Sequence, residues 1–129
     1  MKTERKTGIC MDHSHAHLIE YGEPMVTKVV TSKFTDAERE RSLVKSEKMM
    51  HKKKQHDDYE YYKEIGKYIR NYDDVLLFGP TEAKTELLNV LEKDHLFSKI
   101  KFEVRQTDKM TEGQEHAFVR DYFSVEILH

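Results

Sequence analysis

Apolar residues along this 129-residue chain recur at two spacings, and the alternation between them lays out the elements. Val75, Leu76, Leu77 and Phe78 form an uninterrupted apolar run, as a strand covered on both faces requires. Gly79 lets the backbone turn sharply, and Pro80, which has no N–H to offer a ladder, ends the strand. Thr81 then reads as a helix N-cap, with Glu82 in the first turn and Lys84 one turn in. Leu87, Leu88, Val90 and Leu91 give that helix an apolar stripe on its sheet side.

Upstream, residues 7–12 and 15–21 predict two strands, with Asp12, His13 and Ser14 as the turn between them. Alternation sends Ala16, Leu18 and Glu20 to one face and His15, His17, Ile19 and Tyr21 to the other. Gly22, Glu23 and Pro24 make the next turn, and residues 25–34 alternate as a third strand, Val26, Lys28 and Val30 against Thr27, Val29 and Thr31. Residues 57–71 change to helical spacing: Tyr61, Ile65, Tyr68, Ile69 and Tyr72 recur every three or four positions, the tyrosines facing the core with hydroxyls at its rim. Beyond the central unit, Ile100, Phe102 and Val104 alternate with Lys101, Glu103 and Arg105 as a strand. Residues 112–125 carry Ala117, Phe118, Tyr122 and Phe123 at helical spacing behind Thr111 as a cap.

The order is three strands, a basic insertion, helix, strand, helix, strand, helix. Strands joined through a helix run parallel with a right-handed crossover. The expected fold is therefore α/β: a three-stranded antiparallel meander extended by parallel strands, with helices packed on the mixed sheet, as in the ribonuclease H-like fold. One domain over residues 1–129 accommodates it, with a basic loop or projecting helix at about 34–55.

Composition changes this picture in one place. With 36% charged residues and a formal net charge of -2, the chain has no global attraction for polyanions, so any such binding is local. Residues 33–55 supply the locality, being rich in Lys and Arg and nearly devoid of apolar side chains apart from Leu43, Val44, Met49 and Met50. Cys10 is the only cysteine, which excludes an intrachain disulfide and fits a reducing compartment; it reads as a small buried hydrophobe within its strand. No stretch has the length of a membrane span and the first residues lack a signal-peptide core, so a cytoplasmic location without membrane partners is expected.

Three groups of residues, taken in order, resemble the central domain of the archaeal and eukaryotic class-I peptide-release factors and of the ribosome-rescue family Pelota. They are Asp12 followed by Ser14, His15 and Ala16; the helix holding Tyr61, Tyr62, Lys63 and Glu64 that leads into Val75, Leu76, Leu77, Phe78, Gly79, Pro80 and Lys84; and the closing strand with Thr107, Thr111, Glu112 and Gly113. The resemblance implies a ribonuclease H-like fold and a place in the translational machinery. It also implies a Gly-Gly-Gln motif between the third strand and the long helix, yet residues 33–55 contain no glycine, and counting back puts its place near Leu43, Val44 and Lys45. Peptidyl-tRNA hydrolysis by that motif is not expected. Pelota lacks the motif too and acts on ribosomes.

Four chemistries are open to these residues. His15 and His17 lie on one strand face and, with Asp12 or His13, offer weak candidates for a zinc site; the plainer alternative is a solvated hairpin tip, and neither metal nor cofactor is expected. Asp12 with Asp108 is a fragment of the carboxylate set that a two-metal nuclease needs, or else Asp12 is a turn former. Gly79, Pro80 and Lys84 read as a structural turn more readily than as a phosphate loop, since the proline removes a donor and Glu82 repels an anion. Lys45, Lys48, His51, Lys52, Lys53 and Lys54 are the candidates for phosphate contact, hence for binding ribosomal RNA or tRNA without catalysis. The alternatives are a metal-dependent nuclease and a protein-interaction module.

Overall fold

The computed structural model describes residues 4–33 and 47–128, the latter span by its backbone alone at 47–54 and 125–128. Among the described residues there are five strands: β1 (Lys6–Met11), β2 (His15–Glu20), β3 (Val26–Thr31), β4 (Asp74–Gly79) and β5 (Lys101–Gln106). Three α-helices accompany them, α1 (Glu47–Ile69), α2 (Ala83–Glu92) and α3 (Glu112–Leu128), with a short 3-10 turn at His95–Phe97. The strands form one sheet in the order β3-β2-β1-β4-β5. β1 pairs antiparallel with β2 and parallel with β4, β2 pairs antiparallel with β3, and β4 pairs parallel with β5, so β2 alone among these five opposes the rest.

The period-2 geometry of the strands sorts the core into two layers. Ile9 and Met11 of β1, Ala16 and Leu18 of β2, and Val75 and Leu77 of β4 meet α1 and α2 through Tyr61, Tyr62, Ile65, Ile69, Leu87 and Leu91. Ile19, Leu76 and Phe78 point the other way, onto Val119 and Phe123 of α3. β4, buried on both faces, is the centre of both layers, which is why its apolar run is unbroken.

Three boundaries and one orientation stand apart from the sequence reading. β3 stops at Thr31 rather than 34 and buries only Val30 fully; as an edge strand it leaves Val26 and Val29 more than half exposed. The Gly22-Glu23-Pro24 turn before it contains a cis peptide at Glu23-Pro24. α1 starts at Glu47, ten residues before 57, because Lys, Glu, Gln and Met are strong helix formers and no breaker interrupts them, while an apolar stripe exists only where the helix reaches the sheet. Tyr61 and Tyr62 are buried, but Tyr68 is exposed, with Lys28 of the edge strand 4.0 Å above its ring. Helix α2 is capped by Glu82 in place of Thr81, without a side-chain cap bond. Thr81 sits one residue earlier, its hydroxyl accepting from the Ala83 N–H at 3.2 Å.

α3 begins where its cap predicts. Thr111 and Gln114 exchange bonds, the Gln114 N–H donating to Thr111 Oγ1 at 3.3 Å and the Thr111 N–H to Gln114 Oε1 at 3.0 Å, a reciprocal capping box.

Candidate functional site at the carboxyl ends of the parallel strands

β1, β4 and β5 run parallel, so their carboxyl ends lie together, and in open α/β sheets ligands bind at such an edge. Asp12 leaves β1 here and closes the hairpin: its Oδ1 accepts the N–H groups of Ser14 at 2.7 Å and His15 at 2.8 Å, and its own N–H donates to the His15 carbonyl at 3.0 Å. Its carbonyl accepts the Tyr61 hydroxyl at 2.9 Å.

The four weak metal candidates share this hairpin but diverge across the sheet. The His13 Nε2–H reaches Glu86 of α2 at 3.0 Å, whose other oxygen accepts the Tyr62 hydroxyl at 2.9 Å. The His17 Nδ1–H goes to the opposite layer, donating to Glu115 of α3 at 2.7 Å. His15 is exposed. Among the described residues no group of three or more His, Cys, Asp or Glu is placed to hold a metal ion. Asp108, the second carboxylate of the nuclease reading, is exposed in the segment after β5.

Glu115 is buried to 4% exposure, a site that a carboxylate occupies only with a strong donor. Cys10, half-buried rather than fully buried, lies beside it. Burial first, and then the negative charge of Glu115, push its thiol pKa up to about 12, which leaves it protonated and a poor nucleophile. Burial likewise raises the phenol pKa values of Tyr61 and Tyr62, with Asp12 and Glu86 respectively adding to the shift. Both hydroxyls stay donors, locking α1 to the hairpin and to α2.

The Gly79-Pro80 turn forms the other wall. Gly79 has a φ of 150°, and a Cβ placed there would lie 2.2 Å from the Met11 carbonyl oxygen, so only glycine lets β4 leave the sheet this close to β1. Lys84 is buried, and its ammonium donates to the Thr81 carbonyl and to Gln106 Oε1 at 2.7 Å. The Gln106 side-chain N–H in turn donates to the Pro80 carbonyl at 3.1 Å. The lysine thus ties the turn to the end of β5 and has its donors directed inward, away from any anion.

Glu86, Glu115 and Gln106 were not singled out in the sequence, and Tyr62 only among the residues of the release-factor resemblance. The available signal was positional: Glu86 and Glu115 are both first-turn residues of helices that follow parallel strands, which returns their carboxylates to this edge. Of the basic candidates, Lys45 lies outside the described residues. Lys48, His51, Lys52, Lys53 and Lys54 are in the opening turns of α1, and their side chains lie outside the description.

A mixed sheet in the order 3-2-1-4-5 with one reversed strand and helices on both faces defines a ribonuclease H-like α/β fold. Among solved structures the chain is similar to the Pelota protein of Thermoplasma acidophilum, with a TM-score of 0.55 and 15% identity over 90% of this chain and 32% of that one. It is similar also to the archaeal translation termination factor aRF1, with a TM-score of 0.52 and 15% identity over 97% of this chain and 40% of that one. A third similar structure is Dom34 of S. cerevisiae, a translation termination-like factor involved in RNA quality control pathways and interacting with Hbs1, with a TM-score of 0.50 and 8% identity over 95% of this chain and 37% of that one. The chain spans about a third of the length of these proteins. No family model and no curated protein matches it. At such identities the likeness establishes the fold.

Proposed function

We propose that the chain is a non-catalytic, translation-associated domain that contacts ribosomal RNA or tRNA through Lys45, Lys48, His51, Lys52, Lys53 and Lys54, in the cytoplasm. The observation that carries this reading is the likeness of nearly the whole chain to one part of three solved proteins, two of them described as a translation termination or termination-like factor and one of those as involved in RNA quality control. Two further features support it. The basic run opens the helix that follows β3, the place where the release-factor resemblance puts a functional loop, and it concentrates positive charge in a chain whose net charge is -2. The polar groups at the carboxyl edge of the sheet are spent on one another, Asp12 on the hairpin, Glu86 on His13 and Tyr62, Glu115 on His17, which favours a binding role over hydrolysis.

Fluorescence anisotropy with labelled tRNA across a salt series tests the proposal. Lysine-phosphate contacts make log K fall linearly with log salt, and replacing Lys52, Lys53 and Lys54 by Glu should flatten that slope by about 2 to 3. An unchanged slope, with the variant folded by circular dichroism, contradicts it.

A further inference from the structure

A groove of about 590 Å³ runs between the second half of α1 and the end of α2 with its 3-10 turn, lined by none of the residues at the carboxyl ends of the strands. Its floor is apolar. Gly66 brings the helices together there: a Cβ at that position would stand 3.1 Å from both Leu91 and Phe97. Tyr59 and Leu96 stand in its walls at 51% and 49% exposure, two of the five large apolar side chains left exposed among the described residues. Lys63 and Lys67 of α1 and Arg70 just past its end follow one edge at i, i+4 and i+7, spanning about 10 Å along the axis, and Lys93, the C-cap of α2, faces them.

Among the described residues none of these four cations is ion-paired, although Glu60 and Glu64 lie on the same helix. Among the described residues lining the groove Asp94 alone is acidic, and its Oδ1 accepts the Leu96 N–H at 2.9 Å. An apolar trough edged by unpaired positive charge in a net negative protein is complementary to one kind of occupant. We propose that this groove docks an acidic amphipathic helix of a partner protein, its apolar residues on Tyr59, Val90 and Leu96 above the buried Leu91 and Phe97, and its carboxylates against Lys63, Lys67, Arg70 and Lys93. Nucleic acid fits less well, since phosphates would leave the apolar floor uncovered and the exposed Tyr59 ring has Lys63 5.5 Å from its centre.

The test is an amide NMR titration of the whole chain with a synthetic helical peptide of about 14 residues carrying Leu at i, i+3 and i+7 between Glu residues. Its Glu-to-Lys counterpart and oligouridylate form the other arms. The acidic peptide should shift the amides of Gly66, Leu91 and Leu96, and Leu96→Asp or Lys67→Glu should each weaken it by about tenfold or more. Both side chains are exposed, so the variants keep the remaining spectrum. Absence of those shifts, equal binding of the Lys peptide, or the same shifts with oligouridylate would overturn the proposal, the last making the groove an RNA surface.

Discussion

Gly79→Ala is the substitution whose cost the geometry fixes best. A φ of 150° lies where residues with a Cβ are strained, at about 1–3 kcal/mol for a persistent outlier. The added methyl also meets the Met11 carbonyl oxygen at 2.2 Å, a main-chain atom held by the central β1–β4 ladder that cannot swing aside as a side chain can. Overpacking of this kind adds about 1–3 kcal/mol, so the total is roughly 2–6 kcal/mol. Against a total stability of about 5–15 kcal/mol that is a large fraction, and the melting temperature should fall by on the order of 10–20 °C. Thermal unfolding followed by circular dichroism reads it, with Gly113→Ala as the control. A methyl group added at Gly113 meets no atom within 4 Å, and the residue sits in the first turn of α3, so its variant should match or exceed the parent by up to about 1 kcal/mol. A Gly79→Ala protein melting within about 2 °C of the parent would refute the reasoning about this turn.

Leu77→Ala, at the fully buried centre of the sheet, should cost about 2–5 kcal/mol, read from the denaturant midpoint; an unaltered midpoint would contradict the placement of β4. Stability should fall as pH rises above 9, because the native Cys10 thiol keeps its proton up to about 12 while the unfolded thiol loses it near 9.0, and Tyr61 and Tyr62 act in the same direction from 10.0. A denaturant midpoint flat between pH 8 and 11 would contradict that burial. Iodoacetamide at pH 8 should alkylate Cys10 in the native protein far more slowly than in urea, and equal rates would place the thiol in solvent.

The sheet was legible because its signals are local. The unbroken run at Val75 to Phe78 reports burial on both faces, and the alternation at Phe102 and Val104 reports one face partly buried against the core. The helix after β3 was only half legible: its amphipathic half announced itself, whereas residues 47–56 carry helix-forming side chains without a stripe. Tyr68 was misplaced because helical spacing gives a face but not where the sheet ends beneath it, and β3 is an edge. Thr81 has the chemistry of a cap, yet the buried Lys84 draws in its carbonyl and the helix starts a residue later. At the candidate site, Asp12 and the histidines were visible as residue types, but their partners Glu86 and Glu115 lie 73 and 98 positions from His13 and His17. Pairings over such distances are made by the topology and leave no mark in local pattern.

Sedimentation of the protein with ribosomes tests the central claim most directly. It should pellet with them at about 50 mM salt and be released by about 200 mM, and the protein with Lys52, Lys53 and Lys54 replaced by Glu should stay in the supernatant throughout. A parent chain that remains in the supernatant at the lower salt would contradict the account.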